Sequence, residues 1–199
     1  MTTQIFLICP PDADAAFAAV LEQTLAAAPV SAVLIPRAAQ AENAYKSLCK
    51  ALVPVIQQAG AAALVEGDAG LVKLLKADGL HAPLPPKDLK AAVGALRPQF
   101  IVGAAAIEGR HDAMSKGELD VDYVFFGSLS SPIEDEMRET AQWWAETMEI
   151  PAVLSDPMAD AQSADAGGCE FFAIGQGLWQ APEGPVAALV ALTQALERT

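Results

Sequence analysis

Lys76-Ala-Asp-Gly-Leu-His81 and Asp122-Tyr-Val-Phe-Phe-Gly127 decide how the rest of this chain reads. Each is a short apolar run reached through an acidic residue and ending at a small or polar group. Continuous apolar runs suit strands that are covered on both faces, as in parallel α/β proteins, rather than half-exposed strands with period-two alternation. The ends of such strands are where a parallel α/β fold places its chemistry.

Working outward, runs of the same kind recur along the whole chain. The predicted strands are Gln4–Cys9, Ser31–Ile35, Ala61–Glu66, Gly79–His81, Phe100–Gly103, Tyr123–Phe126, Ala152–Leu154 and Glu170–Ile174. Between them lie Ala-rich helical patterns. Asp12-Ala-Asp14 is read as the cap of a helix to about Ala28, stopped by Pro29. Glu42–Gln58 follows, with Pro54 marking a kink or an early stop. Further helices are predicted at Gly70–Lys76, Lys87–Leu96, Glu108–Lys116, Glu136–Glu149, Pro157–Ala166 and Pro185–Glu197. Trp143 and Trp144 are adjacent on a helix, and one or both should pack on the sheet. Eight strands alternating with eight helices is the count of an α/β (β/α)8 TIM barrel, here a single domain over residues 1–199. A doubly wound open sheet fits the alternation too, but no G-x-G-x-x-G follows the first strand and no Walker loop is present.

The composition bounds the function. With 12 basic and 25 acidic residues the formal charge is −13. That argues against nucleic acid, whose binding rests on phosphate neutralisation. It also opposes polyanionic small molecules at long range, although solubility alone accounts for it. No apolar run reaches the ~18–20 residues of a membrane span. The N-terminus has no basic region before its apolar run, so it reads as a first strand and not a signal peptide. Cys9, Cys49 and Cys169 are scattered, with no metal spacing, and are expected as free thiols in a reducing cytoplasm.

In a barrel, the strand ends give the candidate site. Arg37 is the only basic residue at any of them; it suits a phosphate or carboxylate, and a surface role explains it equally. Glu66 and Asp68, around Gly67, offer oxygens for Mg2+, or form a solvated acidic loop. His81 has acid–base chemistry, but an oriented barrel residue bonded to a neighbouring carbonyl is the favoured role. Gly175-Gln176-Gly177 offers backbone N–H groups to a phosphate, or is a plain turn. Gly103, Gly127 and Ser128 complete the set of substrate-binding candidates. Neither His81 nor His111 stands in a recognisable relation to the serines, so a serine nucleophile is not expected.

The run Leu64-Val-Glu-Gly-Asp68 through His81 resembles thiamin phosphate synthases and their TenI-type relatives, the thiazole tautomerases. The likeness resumes at Phe100-Ile-Val-Gly103, Asp122–Gly127 and Ile150-Pro-Ala-Val153. It implies a phosphate-handling TIM barrel of thiamin biosynthesis, a transferase that joins a hydroxymethylpyrimidine diphosphate to a thiazole phosphate with Mg2+ on the diphosphate. It implies that Arg37 meets the diphosphate, Glu66 or Asp68 the metal, and Gly175–Gly177 the thiazole phosphate.

Several of the family's motifs are absent. Its Gln-x-Arg-x-Lys appears as Val33-Leu-Ile-Pro-Arg37, and its metal-binding Asp falls at Gly67. Pro83-Leu-Pro-Pro86 replaces a second metal carboxylate, and Ser130–Asp135 is acidic where a Thr-Lys is expected. Asp156-Pro157 replaces a phosphate-holding Gly-Gly, and Ser128 stands for a tautomerase histidine. The expectation is a divergent member with weak or lost pyrophosphate-displacing chemistry. The alternatives are a non-catalytic thiazole- or pyrimidine-binding or regulatory protein, or a different small-molecule enzyme on the same barrel. The expected partner is a small molecule, phosphorylated or not; the sequence leaves a homo-oligomer open.

Overall fold

The computed structural model describes residues 3–198, so Met1 and Thr2 of the predicted N-terminal run lie outside it, as does Thr199. Eight parallel strands close into a barrel in chain order: β1 (Gln4–Ile8), β2 (Ala32–Ile35), β3 (Ala62–Glu66), β4 (Gly79–Ala82), β5 (Ile101–Ala104), β6 (Tyr123–Gly127), β7 (Ala152–Ser155) and β8 (Phe171–Ile174). Closure comes from β8 against β1, in a register running from Gln4 opposite Phe171 to Leu7 opposite Ile174. Every predicted strand is present, with ends shifted by at most one residue. The helices are α1 (Phe17–Leu25), α2 (Glu42–Gln58), α3 (Ala69–Leu75), α4 (Pro86–Leu96), α5 (Arg110–Gly117), α6 (Asp135–Thr147), α7 (Gln176–Trp179) and α8 (Pro185–Leu196).

The acids that introduce the strands have a structural job. Asp78 donates its N–H to the Ala63 carbonyl at 2.9 Å and accepts the Ala63 N–H on its carboxylate at 2.8 Å. Asp122 does the same to Val102, at 2.8 Å in both directions. Before β8, Glu170 accepts the Ala152 N–H at 2.8 Å. Each acid thus clamps the start of its own strand to the preceding one at the bottom of the barrel. A hydrogen bond to a charged group contributes about 2 kcal/mol, so the acid-then-apolar pattern stabilises strand pairing directly.

Alternation along the strands divides the apolar residues into two cores. Phe6, Ile8, Leu34, Leu64, Tyr123 and Phe125 fill the barrel interior, with Phe6 and Phe125 ring centroids 5.7 Å apart. Leu7, Val33, Ile35, Val65, Phe126 and Leu154 face outward against the helices. Trp144 joins this outer core, its indole N–H donating to Ile150 O at 2.8 Å, while Trp143 is half-buried beneath the Arg110 guanidinium.

Three local expectations are corrected. Residues 157–166 form turns, not a helix, because Asp160 Oδ1 accepts the N–H groups of Gln162 and Ser163 at 2.9 Å and the Ser163 hydroxyl at 2.8 Å. Asp12 and Asp14 do not cap α1: Asp14 takes the Ala16 N–H in a local turn, and the helix begins at Phe17. Pro54 neither stops nor ends α2. It is exposed, and the buried stripe of Tyr45, Leu48, Cys49, Leu52, Val53 and Ile56 keeps the helix docked on both sides of it. Among the described residues, no helix is long and apolar enough to cross a membrane.

Candidate functional site

The C-terminal ends of β1 to β4, with the segment after β6, surround a cavity of about 520 Å³. Its walls are mostly apolar, built by Pro11, Pro36, Pro83, Leu84 and Leu129; Arg37, Glu66 and Ser130 bring the polar side chains. That size and lining suit a small molecule held by few polar groups. Cys9 also lines it, but burial pushes its thiol well above the usual range, so no thiolate is on offer.

Glu66 is held from two sides. Its backbone N–H donates to the Tyr45 hydroxyl at 2.9 Å, which itself donates to Ile35 O at 2.7 Å, tying the ends of β2 and β3 together. One carboxylate oxygen, Oε2, accepts the Arg37 backbone N–H at 2.6 Å. Desolvation pushes the Glu66 carboxyl above its ordinary value, opposed by the Arg37 N–H and charge. Arg37 itself is exposed at the rim. Asp68 faces elsewhere: it caps α3 by accepting the Leu71 N–H at 2.9 Å and lines a neighbouring cavity of about 260 Å³ with Arg37, Lys46 and Gly67. Among the described residues no three His, Cys, Asp or Glu side chains converge to hold a metal. Glu66 is engaged by a backbone N–H and Asp68 caps α3, and the two open on neighbouring cavities that share Arg37 and Gly67.

Below the mouth, register aligns Glu66 with His81, His81 with Gly103, and Gly103 with Tyr123. The row slants through the barrel, from Glu66 at the mouth to Tyr123 at the start of β6. His81 is buried, with Nδ1 3.1 Å from the Tyr123 hydroxyl and its ring edge-on to Phe125 at 4.7 Å. Burial pulls its pKa down to about 3, so the imidazole is neutral. The expected carbonyl partner is a tyrosine hydroxyl instead. Gly103 makes room for that tyrosine, since an added Cβ would land inside the Tyr123 ring.

The far corner holds Gly175, Gln176 and Gly177, which do not line the cavity. The N–H groups of Gly175 and Gly177 both donate to the Pro157 carbonyl, at 3.3 and 2.8 Å. A Cβ on Gly177 would collide with Ala159 O and lie 2.7 Å from Met158 O, so the β7–β8 segment is packed directly on this turn. Arg138 of α6 fixes that segment, bonding Asp156 Oδ2 at 3.2 Å and Asp165 O at 3.0 Å. Two of the turn's three backbone N–H groups, those of Gly175 and Gly177, are therefore engaged by the chain's own backbone. Gly127, at φ +107°, lets β6 pass close to Ser155, whose carbonyl would lie 2.6 Å from an added Cβ. Ser128 Oγ accepts the Ser130 N–H at 3.1 Å, and its carbonyl accepts the Ser155 hydroxyl at 2.7 Å.

Of the candidates, only Arg37 and Glu66 meet in the main cavity. His81 and Gly103 lie beneath it, and Gly127 and Ser128 build the β6–β7 corner. Arg138 went unrecognised in the sequence, although it is the one basic residue between Lys116 and Arg198 and sits in an acidic segment. Trp179, whose indole N–H caps Ile8 O at 2.6 Å, carries no sequence signal for that role.

Comparison with known proteins agrees with this architecture. The profile described as thiamine monophosphate synthase matches residues 5–176. The chain belongs to that family. It is 31% identical to a thiamine-phosphate synthase of Hyphomonas neptunium, over 98% of this chain and 94% of the relative. A thiamine-phosphate synthase of Rhodospirillum centenum is also 31% identical, covering 94% of each chain. Among solved structures, a thiamine phosphate pyrophosphorylase from Pyrococcus furiosus superposes with a TM-score of 0.79, covering 98% of this chain and 96% of the other at 18% identity. That likeness speaks for the barrel alone. Membership in the thiamine monophosphate synthase family brings the chain into thiamin biosynthesis.

Proposed function

We propose that this family member has weak or lost pyrophosphate-displacing chemistry and holds a small thiamin-precursor-like ligand in its mouth without joining it to a diphosphate. The carrying observation is the Pro157 carbonyl, which already accepts the N–H groups of Gly175 and Gly177. A phosphate arriving at that turn would have to displace the carbonyl oxygen of a segment that Arg138 holds through Asp156 and Asp165. Around the mouth, positive charge is scarce. Among the described residues Arg37 is the only cation lining the cavity, and Ser130–Asp135 is acidic. Departing pyrophosphate needs preorganised positive charge, and removing one such donor costs about 10²–10³ in rate. Three buried free thiols suit a reducing cytoplasm.

The test is a side-by-side assay with the Hyphomonas neptunium relative, using hydroxymethylpyrimidine diphosphate, thiazole phosphate and Mg2+. The expected result is product formation at least about 10³-fold slower than the relative. Turnover within tenfold of it would overturn the proposal.

A further inference from the structure

The barrel interior holds a second cavity, of about 230 Å³, at the face opposite the mouth, where β1, β2, β3, β5, β6 and β8 begin. Its origin is a mismatch in side-chain size. β2 and β3 begin with Ala32 and Ala62, paired in register, and bring only two methyl groups to this floor. β5, β6 and β8 begin with Ile101, Tyr123 and Phe171, which stand around the gap that the alanines leave. Phe6 and Leu64 lie deeper and close it toward the barrel centre. Ala62, Ile101 and Phe171 pack on the inner core yet are only half-buried, so the cavity opens to solvent. The polar groups at its edge are already engaged. The Ser31 hydroxyl donates to Gln4 Oε1, and Gln4 is exposed, so its amide nitrogen reaches water. Asp122 has one carboxylate oxygen on Arg97 and the other on the Val102 N–H, and the Tyr123 hydroxyl is held at His81.

We infer that the barrel floor is a second binding site, which takes an uncharged, apolar molecule of about six or seven carbons. A cavity of about 150 Å³ lined by Leu, Ile and Phe stays dry and binds benzene, and the floor offers a similar lining with somewhat more room. Water entering it finds no uncommitted polar partner in the walls, so an apolar molecule loses nothing by replacing it. A charged or strongly polar molecule would lose its hydration there without compensation. Among the described residues none lines both the floor and the mouth, so the two sites are separate. The floor site goes beyond the proposed function and does not depend on what the mouth holds.

The full chain is titrated with fluorobenzene and followed by fluorine NMR. Fluorobenzene should saturate one site, with a dissociation constant on the order of 1 mM or tighter. Benzene should displace it. Pyrimidine has the same outline but two ring nitrogens that would lose water for no partner, and should need at least about tenfold more to do so. Ala62→Leu, which grows a side chain into the gap, should weaken fluorobenzene by at least about tenfold. A crystal of the natural chain soaked with iodobenzene should show the iodine beside Ala62 and Phe171. Absence of saturable binding, or pyrimidine competing as well as benzene, would overturn the inference on the natural chain alone. So would a folded Ala62→Leu protein that binds fluorobenzene undiminished, or an iodine found at the mouth instead. If Ala62→Leu does not fold, the position of the iodine decides. Synthase turnover would sink the proposed function and leave this comparison standing.

Discussion

His81 gives the sharpest energetic prediction. It lies in the barrel interior, bonded to Tyr123 and packed on Phe125, and burial lowers its pKa from 6.5 to about 3. In the unfolded chain it returns to the ordinary value and takes up a proton that the folded state refuses. Its contribution is therefore undiminished above pH 6.5 and is lost progressively as pH falls from 6.5 toward 3. Between pH 7.5 and pH 5 the loss is about 2 kcal/mol, and it reaches about 3 kcal/mol at pH 4. The assay is urea denaturation at each pH for the natural chain and for His81→Gln. The substitution has its own cost, but the pH-dependent difference between the two chains isolates the imidazole, since Glu66, Asp160 and every other titrating group are common to both. The natural chain should lose about 2 kcal/mol more than the variant between pH 7.5 and 5. Equal losses would refute a buried neutral histidine and with it the dry interior below the mouth.

Arg138→Met should destabilise the chain by about 2 kcal/mol, because it leaves the mostly buried Asp156 carboxylate without its partner, and should hasten proteolytic cleavage between residues 157 and 168; urea denaturation and limited proteolysis read both. Asp122→Ala removes the clamp on Val102 and the partner of Arg97, and should cost about 2–3 kcal/mol, whereas the exposed Asp120→Ala should cost under about 1 kcal/mol, compared by thermal unfolding. Burial pushes Cys49 up to about 11 and Cys169 up to about 12, with Cys9 higher still, so a thiol reagent at pH 8 should modify none of them in the folded protein and all three in denaturant.

The barrel was legible because its strands are apolar on both faces and are introduced by residues with a visible purpose. Asp78 and Asp122 marked strand starts, and the structure gives the reason: each clamps its neighbour's backbone. The segment after β7 misled because its alanines favour a helix, while Asp160 and Ser163 captured the local N–H groups first. The mouth was legible in part. Arg37 and Glu66 stood at strand ends and do share the cavity, but the division of labour between Glu66 and Asp68 depends on where α3 begins, which only the fold decides. Pro157 was visible as a residue without an N–H to give. That its carbonyl would take the donors of a turn some twenty residues later is a tertiary fact, as is the latch from Arg138.

With the N–H groups of Gly175 and Gly177 both taken by the Pro157 carbonyl, the turn keeps too few backbone donors to hold a phosphate. Calorimetry on the full chain with thiazole alcohol and with thiazole phosphate tests it most directly, because the two ligands differ only in the group that the turn would hold. The phosphate should add no affinity, with the phosphorylated ligand binding equally or more weakly. Thiazole phosphate binding at least about tenfold tighter than the alcohol, a gain of about 1.4 kcal/mol, would contradict it.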